Sequence, residues 1–282
     1  MNEPGRLVLL GHPVSHSLSP VIQNAALVVA GIALNYETLD VEPANLASTL
    51  ASLRAGYAAG NITVPHKAAA AGLIARLSPL AERIGAVNTF RTGLDGELSG
   101  DNTDVAGFAE LVRSALGKIP TDVQFVIIGS GGSAAAVLAA IETWPRCSAA
   151  VHARSTERAE HLVRRFSNVA RAETLRPGEP VTGDIVVNTT PIGLNDDEMP
   201  LPIASLPGNA VVLDLVYRPR ETAWVRDARA SGRIASDGLP MLVEQGAVAF
   251  EAWFGVAPSR EAMWQAVTTV TGRSAASATP RE

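Results

Sequence analysis

Lys67 is one of only two lysines, with Lys118, in a chain whose 23 Lys and Arg residues are otherwise all arginine. It closes the segment Asn61-Ile-Thr-Val-Pro-His-Lys67. An ammonium gives up its proton on desolvation where a guanidinium does not, so a lysine kept against an arginine background is a candidate acid/base. A surface lysine after a proline turn would read the same way, and the segment alone leaves both open.

A second group of residues has the pattern of a phosphate site. Gly129-Ser-Gly-Gly-Ser-Ala134 follows an apolar run and opens an alanine-rich stretch. In a strand-turn-helix context, Gly129, Ser130, Gly131, Gly132, Ser133 and Ala134 would let backbone and helix N-terminus approach a pyrophosphate. The alternative is a tight turn with no ligand. Past the next strand come Arg154, Ser155 and, one helical turn on, Arg158. Cations there suit the 2′-phosphate of NADP, where an NAD site commonly has an acid; the bland reading is two arginines solvating a helix start.

These residues need a scaffold, and 282 residues can bury one large core or two ordinary ones. An apolar fraction of 47% argues for a packed globule, and a net charge of -5 gives no general attraction to nucleic acid or anionic membrane. The single cysteine, Cys147, rules out an internal disulfide and reads as a small apolar residue in a reducing compartment. No secretory signal or membrane-length apolar run is visible, so a cytoplasmic location is expected. No metal-ligand spacing emerges around His12, His16 or His66, each of which reads as a hydrogen-bonded structural residue.

Apolar periodicity predicts strands over residues 7–10, 35–41, 58–63 and 86–90, with helices over 20–30, 46–53 and 68–76, which implies a parallel α/β layer. Ser19 and Pro20 read as the cap and first turn of the first helix. A long helix is expected over 104–116, ended by Gly117. The pattern then restarts with strands over 124–128, 149–153, 185–188 and 211–215. The accompanying helices are expected over 134–143, 222–230, 239–253 and 259–271, with residues 272–282 a disordered tail.

Eight segments together resemble, in order and spacing, the motifs of the shikimate dehydrogenase family. They are Gly11-His-Pro-Val-Ser-His-Ser-Leu-Ser-Pro20, Asn61 to Lys67, Gly85-Ala-Val-Asn-Thr89, Gly100-Asp-Asn-Thr-Asp-Val-Ala-Gly107, Gly129 to Ala134, Asn188-Thr-Thr-Pro-Ile-Gly193, Asp214-Leu-Val-Tyr217 and Gly238-Leu-Pro-Met-Leu-Val-Glu-Gln245. The resemblance runs over about residues 6–271. It implies two α/β domains with a cleft between: a discontinuous substrate-binding domain, 1–103 and 239–271, and a Rossmann-type dinucleotide-binding domain, 104–238.

The resemblance further implies reversible, NADPH-dependent reduction of 3-dehydroshikimate to shikimate, in chorismate and aromatic amino acid biosynthesis, by a monomer or homodimer. Lys67 would be the acid/base and Asp104 its partner. Ser17 and Ser19 would hold the substrate carboxylate; Asn61, Thr63, Asn88, Asp104 and Gln245 its hydroxyls and carbonyl; Tyr217 would also reach it. Thr189, Leu215 and Gly238 join the cofactor set. Ser19 taken alone reads as a helix cap, and Gln245 as a solvated residue. Two positions depart from the family pattern: Gln23 stands where a histidine is expected, and Ala153 where an asparagine is. A quinate or amino-substituted shikimate enzyme, and a non-catalytic NADP-binding sensor, are the alternatives.

Overall fold

The computed structural model describes residues 4–174 and 179–273. It divides into two compact units, Met1–Asp104 with Leu242–Val270, and Val105–Met241 with the chain from Thr271. Against the domain limits expected from sequence, the first division falls after Asp104 and the second after Met241, each inside a helix where no turn residue marks it.

The first unit contains β1 (Arg6–Gly11), α1 (Ser19–Ala30), β2 (Tyr36–Asp40), α2 (Leu46–Ala55), β3 (Ala58–Ile62), α3 (Lys67–Ala71), β4 (Arg76–Leu77), α4 (Pro79–Ile84), β5 (Thr89–Thr92) and β6 (Leu98–Asp101). Its sheet runs β2-β1-β3-β5-β6-β4. Strands β1, β2 and β3 are parallel, but β5 lies antiparallel to both β3 and β6, so the sheet is mixed rather than the parallel layer expected. The cause is the short return from β5 to β6 through Gly93 and Gly96, which permits only a hairpin-like reversal. The leucines of α2 (Leu46, Leu50, Leu53) pack with Val8, Leu10, Ile62 and Phe90 on one face of this sheet.

Three local expectations are corrected. The strand placed at 86–90 begins only at Thr89, because Val87 and Asn88 donate their amides out of register to Lys67 and Asp101 carbonyls. The helix placed at 68–76 ends at Ala71, before Gly72, and Arg76 begins β4, which pairs parallel with β6. Ser19 is not the cap of α1: Leu18 occupies the cap position without a side-chain bond, and the Ser19 amide donates to the Ser17 hydroxyl at 3.2 Å.

The second unit begins in α5 (Asp104–Leu116) and continues through β7 (Gln124–Ile128), α6 (Gly132–Ile141), β8 (Ser148–Ala153), α7 (Thr156–Arg165), β9 (Ala170–Thr174), β10 (Ile185–Asn188), β11 (Val211–Asp214), α8 (Ala223–Ala230) and β12 (Ala235–Ser236). α9 (Leu239–Phe254) leads back to the first unit, which α10 (Arg260–Thr271) completes. The sheet order β12-β11-β10-β7-β8-β9, all parallel, is the doubly wound Rossmann order, and its strand sequence reverses between β7 and β10. Alanine dominates α6, whose residues 134–141 are all buried, so the helix sits close on the sheet. No described helix is long and apolar enough to cross a membrane.

Residues 274–282 of the expected tail lie outside the described residues, but Arg273 does not fit that expectation. Its guanidinium is largely buried, pairs with Asp237 and lies 3.7 Å from Glu221. Asp237 is itself buried, and desolvation pushes its carboxyl upward against the pull of Arg273. Cys147 is a buried free thiol facing the Pro120 carbonyl, as its apolar reading required.

Asp214, at the end of β11, is fully buried and has only neutral partners. Its Oδ1 accepts from the Asn188 side chain at 2.8 Å and the Val216 amide at 3.1 Å; its Oδ2 accepts from Thr222, the cap of α8, at 2.8 Å. Desolvation raises its pKa to about 6, opposed by those three hydrogen bonds. The folded state therefore binds this proton more tightly than the unfolded chain does. The resulting stability is fully present below the unfolded value and is lost as pH rises through about 6. Thermal or urea unfolding of wild type and Asp214→Asn between pH 4 and 7 should show wild type gaining on the order of 2 kcal/mol relative to the variant as pH falls. Parallel pH profiles would remove Asp214 as the source.

Candidate functional site

In the first unit Asn61, Thr63, Asn88 and Asp104 lie at or just beside the ends of β3, β5 and β6, whereas Ser17 precedes α1, Ser19 opens it and Gln245 is on α9. Lys67 is the first residue of α3 and Asp104 the first of α5. Lys67 Nζ donates to Asp104 Oδ2 at 2.6 Å, with the two side chains 14% and 4% exposed. A carboxylate in the first turn of a helix faces the unpaired N–H groups there, which favours its charge. Backbone bonds fix both ends of the pair: the Lys67 carbonyl accepts from the Val87 amide, and the Asp104 amide donates to Asn102 Oδ1 at 3.1 Å. Such a contact, largely desolvated, keeps an ammonium in one place.

Asn88 organises the cluster. Its Nδ2 donates to Asp104 Oδ1 at 2.8 Å and Thr103 Oγ1 at 3.0 Å, and lies 3.4 Å from Gln245 Oε1. Its Oδ1 accepts from the Thr103 amide at 2.7 Å, and its carbonyl accepts from Asn61 Nδ2 at 3.1 Å. Asn61 Oδ1 in turn accepts from the Tyr36 hydroxyl at 2.8 Å, and the Tyr36 ring stacks on Trp253. Gln245 is half-buried rather than solvated, its Nε2 turned back onto the Leu242 carbonyl.

Lys67, Asp104, Asn88, Asn61 and Gln245 are thus joined in one hydrogen-bonded array. Ser17, Ser19 and Thr63 make no hydrogen bond to it. Ser17 accepts from the Ser19 amide, while the hydroxyls of Ser19 and Thr63 have no partner among the described residues. Sequence reasoning assigned no role to Tyr36, Asn102 or Thr103. Asn102 and Thr103 lie inside the Gly100 to Gly107 segment, and a buried tyrosine hydroxyl always calls for a partner, so the signals were present.

The histidines divide. His66 is buried and its Nε2–H donates to the Val41 carbonyl at 2.6 Å. His12 pairs with Asp40 at the surface. His16 is exposed, without the hydrogen-bond partner expected of it among the described residues. No described group of His, Cys, Asp or Glu has the arrangement of a metal site.

In the second unit, β7 and β10 flank the point where strand order reverses, the usual ligand position in such sheets. Gly129 follows β7 with φ +119°, and a Cβ there would lie 2.5 Å from Thr189 Oγ1. Only glycine suits both the angle and the approach. Helix α6 begins two residues earlier than expected, at Gly132, with Gly131 in the cap position and no side chain bonded to its first amides. Those amides are free to meet an anion. Ser130, Gly132 and Ser133 are half-buried around this turn, and Ala134 is buried against the sheet.

Arg154 and Arg158 are exposed, and neither has an ion-pair partner among the described residues. Ser155 caps α7, its hydroxyl accepting from the Arg158 amide at 3.3 Å. Ala153 is buried. The Thr189 hydroxyl is committed to the Ile128 carbonyl at 2.8 Å, and the Leu215 amide to the Asn188 carbonyl at 3.0 Å. Gly238 packs against the Leu215 backbone, where a Cβ would come within 2.3 Å of the carbonyl oxygen. Tyr217 follows β11, half-buried. A glycine turn at a helix N-terminus, flanked by unpaired arginines past the second strand, fits a dinucleotide bearing a 2′-phosphate.

Comparison with known proteins agrees with this arrangement. Residues 9–90 match the shikimate dehydrogenase substrate binding domain, and residues 238–268 the shikimate 5'-dehydrogenase C-terminal domain. Shikimate dehydrogenase (NADP(+)) of Methylobacterium radiotolerans is 39% identical over 261 residues, 90% of this chain and 92% of that protein. The same enzyme of Symbiobacterium thermophilum is 39% identical over 89% of this chain and 90% of its own. Among solved structures, shikimate 5-dehydrogenase from Thermus thermophilus in complex with NADP(H) and shikimate superposes with a TM-score of 0.83 at 36% identity, covering 94% of this chain and 99% of that one. Quinate dehydrogenase from Corynebacterium glutamicum in complex with NAD has a TM-score of 0.84 at 30% identity, covering 95% and 100%. With this identity sustained along nearly the full length, on top of the Rossmann sheet and the shared motifs, the chain belongs to the shikimate dehydrogenase family.

Proposed function

We propose that the protein is an NADP-dependent shikimate dehydrogenase, catalysing the reversible reduction of 3-dehydroshikimate to shikimate. The observation that carries the reading is the buried Lys67–Asp104 contact, held by Asn88 and surrounded by neutral amides and hydroxyls in a chain of this family. NADPH, when bound, supplies the hydride to the substrate carbonyl carbon. Lys67 gives its Nζ proton to the oxygen as the carbonyl becomes an alcohol, and takes it back in the oxidative direction. Asp104 orients that ammonium and, through Oδ1, stays in register with Asn88.

Substrate is assigned to the first unit. Ser17 and Ser19 receive the carboxylate; Asn61, Thr63, Asn88, Asp104 and Gln245 receive the ring oxygens, with Tyr217 of the second unit also assigned to substrate. The second unit holds the cofactor, its pyrophosphate on Gly129 to Ala134, its 2′-phosphate on Arg154, Ser155 and Arg158, and the rest of it along Thr189, Leu215 and Gly238. The reduced thiol of Cys147 suits a cytoplasmic enzyme. Absorbance at 340 nm, followed with shikimate or quinate and with NADP or NAD, tests the whole reading; a preference for quinate or for NAD would redirect it to the relatives with those substrates.

Two predictions belong to this site. Lys67→Ala should lower turnover by roughly 10² to 10⁴ while leaving the KM for NADP nearly unchanged. Asp104→Asn should lower kcat/KM as well, because an amide there turns an N–H toward Lys67 or Asn88, both of which donate to the native carboxylate. Normal kinetics in either variant would take that residue out of the mechanism.

The other concerns the exposed arginines. Arg154→Ala should raise the KM for NADP by about 10- to 100-fold, the loss of one charge-assisted contact, and leave the KM for NAD almost unaffected. Arg158→Ala should act in the same direction, more weakly. Equal losses with both cofactors would assign Arg154 to the fold and not to the phosphate.

A further inference from the structure

Helix α1 turns Ser19, Ile22, Gln23, Ala26 and Leu27 inward. Ser19 and Gln23 are four residues apart, so they share one side of the helix. Gln23 is 1% exposed, and its Nε2 donates to the Gly246 carbonyl of α9 at 2.9 Å. The two helices meet there on bare backbone: a Cβ on Gly246 would lie 2.7 Å from Ile22 Cδ1 and 3.2 Å from Gln23 Nε2.

Packing alone does not explain a glutamine at this place. Its Oε1 is buried with no hydrogen-bond partner among the described residues, which lowers stability, whereas methionine would fill a similar volume without that loss. The bond does not rescue the carbonyl either, because Gly246 lies in the interior of α9, where carbonyls are met by the helix's own ladder. What the Gln23 amide adds is a fixed distance between α1 and α9 at the residue after Gln245.

Gln245 depends on that distance. Its Oε1 reaches Asn88 at a long 3.4 Å, while its Nε2 is tied to the Leu242 carbonyl of the same helix, so a small shift of α9 breaks the link to the array around Asp104. We propose that Gln23 is a positioning residue for substrate binding: through Gly246 it holds Gln245 against Asn88, at a fixed distance from Ser19 on α1. This rests on the shikimate dehydrogenase reading and adds to it a residue that touches no substrate.

The test is steady-state kinetics of shikimate oxidation by the full chain, for wild type, Gln23→Met, Gln245→Ala and the double variant. Gln23→Met should raise the KM for shikimate about five- to twentyfold, with kcat within about twofold, an unchanged KM for NADP and no loss of melting temperature. In the Gln245→Ala background the same substitution should have no further effect on the KM for shikimate, the signature of a residue acting through another. If Gln23→Met does not fold, Gly246→Ala replaces it: it keeps the amide, forces the helices apart at Ile22, and should give the same KM rise that Gln245→Ala abolishes. An unchanged KM for shikimate in an active protein, or an equal rise with and without Gln245, overturns the inference alone. A wild type that does not oxidise shikimate overturns the functional reading and this inference with it.

Discussion

The buried contact between Lys67 and Asp104 sets the terms for the rest of the first unit. Taking both charges largely out of water costs several kcal/mol for each ion, recovered only if the geometry is good and the remaining lone pairs are met. The sequence meets them with amides. Asn88 fills one side of the carboxylate, Asn102 receives the amide of Asp104, and Asn61 ties the Asn88 carbonyl to Tyr36 and so to the stacked Trp253. Each partner sits at the end of a strand or the start of a helix, where backbone groups are left over from regular pairing. That explains why the mixed sheet matters: antiparallel β5 and β6 put Asn88 and residues 102–104 at the same end as Asn61 on β3.

The second unit treats a buried carboxylate differently. Asp214 has three neutral donors and no cation, and desolvation wins, moving its pKa to about 6. Its work is structural: it connects Asn188 at the end of β10 to the cap of α8, and so fixes the strand ends that flank the glycine turn. A charge is not needed for that, since a protonated carboxyl still offers an acceptor and gains a donor. This unit also pairs a buried carboxylate with a cation, Asp237 with Arg273, whereas Arg154 and Arg158 stay exposed and without an ion-pair partner among the described residues.

Legibility in the sequence followed from how local each signal is. Gln124–Ile128, Ile185–Asn188 and Asp104–Leu116 were readable because apolar runs or a first-turn acid and a terminal glycine define them without reference to the rest of the chain. β4, β6 and β12 were not, being two to four residues long with no apolar run to announce them. α4 had a serine cap, a proline first turn and a terminal glycine, and α7 a serine cap; these signals went unused because neither helix presents a long apolar stripe. The array around Lys67 was legible as a set of residue types only through motif resemblance, since nothing local says that Asn88 bonds a residue sixteen positions on or Gln245 far beyond. Gln23 was visible as a departure, but its burial against Gly246 belongs to the tertiary packing of two helices and has no sequence signature.

The crossings between the two units carry this logic one step further. The chain passes from one unit to the other at Asp104/Val105, at Met241/Leu242 and at Val270/Thr271, each within a helix, the last between the final two residues of α10. Asp104 is both the partner of Lys67 and the first residue of the helix that enters the second unit. Gln245 stands about one turn past the crossing at Met241/Leu242, in the helix that returns. Arg273, just past the third crossing, is bonded to Asp237, which immediately precedes Gly238. The chain thus passes between the unit assigned to substrate and the unit assigned to cofactor within helical backbone, and the residue that ends the first segment of the substrate unit is the acid that pairs with Lys67.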